Sequence, residues 1–228
     1  MPFSEKSLSF LFENRVVDSK AWFLEHRADY EAYVLEPLRD LVTALTPTIL
    51  DIDPYLICEP KIGRSISRIY RDTRFSHDKS IFRDVMWCVF IREKKLYDGL
   101  PAFFFEFSPR GFRYGCGYYE SSVDSMNAIR GMILNDEKSY IAALKAYRAQ
   151  SVFRMENTKY KRSRFPTQPE EKREWLDQRS LGFITDSDDL DLLFSDTLPE
   201  KLGQDFRLLV PIYEFMMAAE ARIPKRQS

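Results

Sequence analysis

The stretch Pro101–Tyr119, PAFFFEFSPRGFRYGCGYY, decides the fold class, because it reads as two β-strands joined by a tight turn. Ser108-Pro-Arg-Gly111 at its centre has proline second and glycine fourth, the order that a type I turn prefers. Side chains alternate between the two faces of a strand, so Phe103, Phe105 and Phe107 share one face. The pattern predicts a β-hairpin with one buried face.

The segments around this hairpin have their own periodicities. Residues 84–93, DVMWCVFIRE, are apolar on both faces, which favours a central strand. Helical periodicity marks residues 8–45, where Asp18 is a candidate N-cap and Pro37 is expected to end or kink the helix. It returns after Tyr119 in two helices, from about Ser122 and Glu137, and in a last helix that Pro211 should kink. Residues 152–184 read as rich in loops.

Helices on both sides of antiparallel strands predict an α+β fold, with an antiparallel sheet flanked by N-terminal and C-terminal helices. We expect a single domain over residues 1–228. Its N-terminal helices would occupy about 8–45 and its strands about 55–119, and its C-terminal half would be helical.

Composition excludes several classes of protein. The chain has 228 residues, 44% of them hydrophobic, and a formal net charge of −1, which fits a packed globule without a basic coat for duplex DNA. No apolar run approaches the ~20 residues of a membrane helix, and the start carries no secretory signal. The cysteines are widely spaced, which predicts reduced thiols and no metal site. We therefore expect a cytoplasmic protein with no membrane partner.

Positive charge is concentrated in residues 61–83, which we call the basic segment. It has seven cations and two acids, so its formal charge is 7 − 2 = +5: Lys61, Arg64, Arg68, Arg71, Arg74, Lys79 and Arg83 against Asp72 and Asp78. The planar guanidinium group holds phosphate or carboxylate through two parallel hydrogen bonds. The segment predicts an anion site in which Arg68, Arg71, Arg74 and Lys79 bind the ligand and Asp72 holds the arginines in place.

The same charges allow a second interpretation, a solvated basic surface held by salt bridges. Residues 186–196 have five aspartates that could supply the partners. Tyr70 and Phe75 offer rings for stacking on an arginine or a nucleic-acid base. His26 and His77 are candidates for proton transfer if the site is catalytic.

Three motifs of the chain resemble a known family. The RxxRDxRFxxDK run of residues 68–79 resembles the signature of a bacterial family known as domain of unknown function 2461. The WFxxHRxxY run of residues 22–30 is similar to its opening helix, and Gly115-x-Gly117 with the helix that follows resembles its middle. The likeness covers about residues 8–220 and departs at Ile81-Phe82, where the family usually has Pro then Tyr. The resemblance implies one α+β domain and no assigned activity.

The leading hypothesis is a protein that binds phosphate or carboxylate groups at the basic segment. One alternative is an enzyme of phosphoryl or phosphodiester chemistry, in which arginines stabilise developing negative charge and His26 or His77 carries the proton. Another is an adaptor that presents a basic face to nucleic acid or protein. The expected ligands are a phosphate-containing small molecule or single-stranded nucleic acid. No motif indicates a cofactor.

Overall fold

The structure is a computed structural model that describes residues 2–74, 77–93 and 99–223. The helices are α1 (Glu5–Val17), α2 (Lys20–Glu25), α3 (Arg27–Tyr30), α4 (Glu36–Ile52), α5 (Val123–Leu134), α6 (Lys138–Arg148), α7 (Glu170–Leu176), α8 (Leu190–Leu193), α9 (Leu198–Leu208) and α10 (Val210–Glu220). The strands are β1 (Met86–Phe90), β2 (Ala102–Ser108), β3 (Gly111–Gly117), β4 (Arg154–Met155) and β5 (Gly182–Ser187).

The prediction of an α+β fold is confirmed. The strands form one antiparallel sheet in the order β1-β2-β3-β5-β4, and helices precede and follow it in the chain. The described residues divide into two compact units. Unit 1 lies within Met1–Phe90, Phe104–Tyr114 and Asp186–Gln204, and unit 2 within Ile91–Phe103, Gly115–Thr185 and Asp205–Ser228. A single folding domain therefore stays a prediction.

The predicted hairpin is present as β2 and β3. Phe103, Phe105 and Phe107 are fully buried, as the alternation of strand side chains requires. In unit 1 the ring of Phe107 lies 4.5 Å from that of Phe3, and in unit 2 the ring of Phe103 lies 5.3 Å from that of Phe206. One stripe of phenylalanines thus contributes to the core of both units.

Strand β1 corrects one prediction, because it is an edge strand of the sheet and not a central one. Its outer side is covered by an irregular segment of unit 1. Ile66 forms a bridge with Cys88 of β1, and the backbone N–H of Ser67 donates to the carbonyl oxygen of Trp87 at 3.0 Å. This cover explains why an edge strand has the apolar composition of a central one.

The glycines of β3 admit the backbone of β5. A Cβ atom at Gly115 would overlap the carbonyl oxygen of Phe183, and one at Gly117 would lie 2.5 Å from that of Leu181. The close approach of a neighbouring backbone thus explains why both positions are glycine. Residues 152–184 are rich in loops, as predicted, and the helices and strands of this range are β4, α7 and the first residues of β5.

The N-terminal helices differ from the prediction at Asp18. This residue ends α1 in the left-handed conformation (φ 47°, ψ 40°), and Ser19 is the N-cap of α2, where its hydroxyl accepts from the N–H of Trp22. A π-helical turn, Glu31–Leu35, joins α3 to α4. Pro37 lies in the first turn of α4 and does not end the helical run, which continues through residues 27–52 with the π-helical turn ending two residues before the proline.

The C-terminal helices follow the predicted pattern more closely. Ser122 is the N-cap of α5 and its hydroxyl accepts from the N–H of Ser125 at 2.9 Å. The last predicted helix breaks between α9 and α10, just before Pro211, as expected. Among the residues that the structure describes, no helix has the length and apolar character that spanning a bilayer requires.

Candidate functional site

The basic segment is extended where it could have been helical. Tyr70 forms an antiparallel bridge with Phe82, and the N–H of Arg71 donates to the carbonyl oxygen of Ile81 at 2.8 Å. Residues 72–80 lie between the two paired segments and form a loop. The acids and most of the cations of interest therefore lie on or beside one loop of unit 1.

Asp78 is the centre of a cluster on this loop. Its Oδ2 atom accepts from Nη1 of Arg71 and, at 2.7 Å, from Nη2 of Arg15. Its Oδ1 atom accepts from the hydroxyl of Ser80 and, at 2.9 Å, from the N–H of Ser80. We call Arg15, Arg71, Asp78 and Ser80 the Asp78 cluster. The hydrogen bonds from Ser80, followed by that from Arg71, hold the pKa of Asp78 well below its usual range.

Asp72 and Arg74 form a separate pair on the same loop. Nε of Arg74 donates to Oδ1 of Asp72 at 2.9 Å and Nη2 donates to Oδ2 at 2.6 Å. The two side chains are 54% and 76% exposed, respectively. The bonds from Arg74 lower the pKa of Asp72 to about 2. Asp72 thus holds one of the arginines assigned to it, Arg74.

The remaining predicted ligands have different surroundings. Nζ of Lys79, the neighbour of Asp78, donates to the carbonyl oxygen of Thr73 at 2.9 Å. Arg68 is exposed and makes no hydrogen bond or ion pair with any residue that the structure describes. The structure therefore brings Arg71 and Lys79 to the loop around Asp78, and it leaves Arg68 outside the cluster.

Arg15 is the member of the cluster that sequence reasoning missed. It lies 63 residues before Asp78, near the end of α1, and no local pattern distinguishes it from other surface cations. The end of α1 is fixed on the basic segment by Asp18, whose Oδ1 accepts from the N–H groups of Ile81 at 2.8 Å and Phe82 at 3.1 Å. This attachment places Arg15, about one turn earlier in the chain, beside the loop.

Two polar side chains of the N-terminal helices are buried without a hydrogen bond to a described residue. The side chain of Asn14, adjacent to Arg15, is fully buried, and neither its oxygen nor its nitrogen hydrogen-bonds to a described residue. The hydroxyl of Tyr30 is in the same condition, and burial raises its pKa. Such groups are uncommon in protein interiors because they cost stability. Neither residue has a sequence pattern that separates it from ordinary core positions.

Tyr70, one of the two rings predicted to stack on a ligand, packs in part against the core of unit 1. The ring of Tyr70 is 42% exposed and lies 5.0 Å from that of Phe82 and 5.7 Å from that of Phe23. Phe82 is fully buried in this cluster of rings. Phe75, the other ring predicted to stack, lies outside the described residues.

The two histidines are not members of the Asp78 cluster. The ring of His26 stacks on that of Trp22 at 4.0 Å, and its Nδ1 lies 2.9 Å from the carbonyl oxygen of Trp22, to which Nδ1–H can donate. His77 is exposed and makes no hydrogen bond or ion pair within the described chain. Proton transfer by either residue stays a prediction.

Two aspartates of residues 186–196 have partners outside the basic segment. Asp186 pairs with Nε of Arg113 at 3.2 Å, and Asp189 caps α8 by accepting from the N–H of Leu192 at 2.9 Å. Across residues 2–74, 77–93 and 99–223, no group of histidine, cysteine and acidic side chains could hold a metal ion. All three cysteines are free thiols.

These observations define an α+β protein in which a loop rich in arginine and aspartate is attached to the end of its first helix. The chain belongs to the family described as "Conserved hypothetical protein (DUF2461)", whose model matches residues 6–215. This match confirms the resemblance seen in the sequence. No curated protein and no solved structure matches the chain significantly.

Proposed function

We propose that the Asp78 cluster binds the phosphate or carboxylate group of a small molecule. The observation that carries the proposal is the convergence of two guanidinium groups, from Arg15 and Arg71, on one carboxylate oxygen of Asp78. Two positive charges meet one negative charge there, so the cluster keeps a formal charge of +1. Lys79, next to Asp78 in the chain, adds to this surplus.

The surroundings of the cluster favour an anion. The side chains of Arg15 and Arg71 are 28% and 22% exposed, so a charge bound against them is less screened by water and salt than one on an open surface. A guanidinium group has five N–H donors. Arg15 uses only Nη2 for its hydrogen bond to Asp78 within the described residues, which leaves donors for a ligand oxygen.

Asp78 and Ser80 have a positioning role in this proposal. Charge-assisted hydrogen bonds fix the planes of the two guanidinium groups before a ligand arrives, and the two bonds from Ser80 fix the carboxylate. The proposed site includes fewer of the cations of the basic segment than the sequence predicted. Arg68 and the paired Arg74 would act on the approach of an anion through the local field, and not by direct contact.

Binding is better supported than phosphoryl chemistry. A general acid or base must lie within hydrogen-bond reach of the reacting group. Neither histidine makes a hydrogen bond to the Asp78 cluster within the described residues: His26 lies against Trp22, and His77, next to Asp78 in the chain, is exposed. The hypothesis of an enzyme therefore has no histidine hydrogen-bonded to the cluster as a proton carrier.

A thermal-shift titration tests the proposal. Inorganic phosphate, a nucleoside monophosphate and a short single-stranded oligonucleotide would be added at constant ionic strength to wild type, Arg15→Ala and Arg71→Ala. Arg64→Ala is the matched control, since it removes a cation of the basic segment that pairs with Glu59. Because a ligand stabilises the folded state that binds it, we expect the small anions to raise the Tm of wild type and of the control. The shift should be lost in the two cluster variants.

Two outcomes would contradict the proposal. An equal shift in Arg15→Ala and Arg71→Ala would locate binding elsewhere. A shift with the oligonucleotide alone, falling steeply with added salt, would favour the nucleic-acid adaptor over the small-molecule site.

A further inference from the structure

Positive charge is concentrated a second time in a loop of unit 2, residues 159–164. The sequence of this loop, KYKRSR, has four cations and no acid. Arg179 adds a fifth cation, since its Nε donates to the carbonyl oxygen of Thr158, directly before the loop, at 3.0 Å. All five side chains belong to exposed residues. We call them the second basic cluster: Lys159, Lys161, Arg162, Arg164 and Arg179.

The cations of the second basic cluster have no carboxylate partners. None of the five forms an ion pair with a residue that the structure describes, whereas Arg64, Arg71 and Arg74 of the basic segment each meet an acid. In the described chain, Asp177 is the only acid that hydrogen-bonds to the loop. Five positive charges against one negative charge leave a formal charge of +4. Like charges gathered in this way repel one another, and a ligand with several negative charges would relieve the repulsion.

The loop is fixed in place by the segment that follows α7. The N–H of Tyr160 donates to the carbonyl oxygen of Asp177 at 2.9 Å, and the N–H of Arg164 donates to Oδ1 of Asp177 at 2.9 Å. Lys159 forms an antiparallel bridge with Gln178. Asp177 and Gln178 are both buried. A loop that is ordered before the ligand arrives loses less conformational entropy on binding.

An aromatic ring orients one of the arginines. The guanidinium carbon of Arg164 lies 3.8 Å from the centroid of the Tyr160 ring, and that of the buried Arg130 lies 5.7 Å from the same centroid. Because Arg164 is exposed, a ligand can reach the face of its guanidinium plane that points away from the ring. Nucleic-acid bases stack on arginine planes as they do on aromatic rings. A base within a duplex is already stacked on its neighbours, so this platform favours a single strand.

We propose that the second basic cluster binds single-stranded nucleic acid. The phosphates of the strand lie against Lys159, Lys161, Arg162 and Arg179, and one base stacks on Arg164. All of these residues belong to unit 2, so the proposal does not depend on the Asp78 cluster.

Fluorescence anisotropy with a labelled oligothymidylate of about eight nucleotides tests the proposal. An abasic strand of the same length keeps the phosphates and lacks the bases, and polyglutamate represents an acidic protein. We expect wild type to bind oligothymidylate with a dissociation constant of about 1–100 μM at physiological salt, and more weakly as salt is added. The abasic strand should bind at least about fivefold more weakly, because the stacked base is missing.

Two variants separate the contribution of charge from that of stacking. Arg164→Lys keeps the charge and removes the planar face, so the dependence on salt should be unchanged while the preference for oligothymidylate over the abasic strand is lost. Arg162→Ala should weaken the binding of both strands and lower the salt slope by about 0.7, as the loss of one phosphate contact requires. Lys138→Ala is the matched control, since it removes an exposed cation of α6 outside the cluster.

Three outcomes would overturn the proposal. The first is that wild type does not bind oligothymidylate, or binds it no better than the abasic strand. The second is tighter binding of polyglutamate, which would assign the cluster to an acidic protein. The third is binding that is lost in Arg15→Ala and kept in Arg162→Ala, which would assign the strand to the Asp78 cluster. The phosphate titration of the Asp78 cluster is a separate measurement, so either proposal can fail without the other.

Discussion

Arg130 of unit 2 and Arg71 of unit 1 are both held by hydrogen bonds, but to different kinds of acceptor. Arg130 is 8% exposed, and it donates from Nε to the carbonyl oxygen of Leu176 at 3.1 Å and from Nη2 to that of Gln178 at 2.8 Å. These two acceptors are neutral backbone groups at the end of α7, and Nη1 donates to the neutral side-chain oxygen of Asn127 at 3.3 Å. Arg130 therefore joins two segments of the chain from the inside.

Arg71 meets a carboxylate instead, and it shares that carboxylate with Arg15. From this difference we expect Arg130 to contribute mainly to stability and Arg71 mainly to binding. An arginine buried among carbonyl groups cannot be removed without leaving acceptors unsatisfied. Two arginines on one half-exposed aspartate keep a surplus of positive charge at the surface, where an anion can reach it.

Arg130→Ala should have the largest effect on stability. It removes the donors to the buried carbonyl oxygens of Leu176 and Gln178, so we expect the free energy of unfolding to fall by about 2–5 kcal/mol. Equilibrium denaturation in urea measures this change. The phosphate-dependent rise in Tm should survive in the variant under conditions where it is folded. A loss of stability below about 1 kcal/mol would remove the contrast between the two arginines.

Arg71→Ala should lower the affinity for phosphate strongly and the stability only slightly. We expect its affinity for phosphate to fall about tenfold or more, because a hydrogen bond between charged groups is lost. Its Tm without phosphate should change by only about 2–4 °C, since the partly exposed pair adds little stability. Arg71→Lys, which keeps the charge without the planar fork, distinguishes geometry from charge. An affinity equal to that of wild type would exclude Arg71 from the site.

Asp78→Asn tests the carboxylate that joins the two arginines. The pKa of Asp78 is lowered in the folded state, so its contribution to stability is fully present above the unfolded pKa of about 4. That contribution is lost as the pH falls toward the folded pKa. We therefore expect the Tm of wild type to decline more steeply than that of Asp78→Asn below about pH 4, by about 1–2 °C. Parallel profiles of Tm against pH would show that Asp78 is not held as described.

Arg74→Ala should have the smallest effect. Its guanidinium is highly exposed and paired with Asp72, so we expect the Tm to stay within about 1 °C of wild type and the phosphate affinity to stay within about twofold. The titration used for Arg71→Ala measures both. A loss of phosphate binding as large as that of Arg71→Ala would restore the wider site that the sequence predicts.

Local features of the chain were predictable. The hairpin follows from strand alternation and from a proline and glycine in the turn, and the start of α5 follows from the capping side chain of Ser122. These features depend on neighbours within a few residues. The assignment of Asp18 failed because left-handed C-caps and N-caps attract the same residue type, and the backbone conformation decides between them.

Features that depend on distant segments were not predictable. Strand β1 can lie at the edge of the sheet because Ile66 and Ser67 cover its outer side. The glycines of β3 are required only because the backbone of β5 lies against them. The candidate site also combines a predictable and an unpredictable part. The composition of the basic segment locates it in the sequence, but no local sequence pattern identifies Arg15.

The sequence by itself determined the fold class, the family and the place where positive charge is concentrated, because periodicity, turn residues and charge density are properties of short segments. Only the tertiary structure decided which cations meet. The attachment of α1 to Ile81 and Phe82 through Asp18 brings Arg15 to Asp78, and the local pairing of Arg74 with Asp72 takes Arg74 out of the cluster. The physical reason is that a hydrogen bond depends on distance in space, and 63 residues of chain separate Arg15 from its partner.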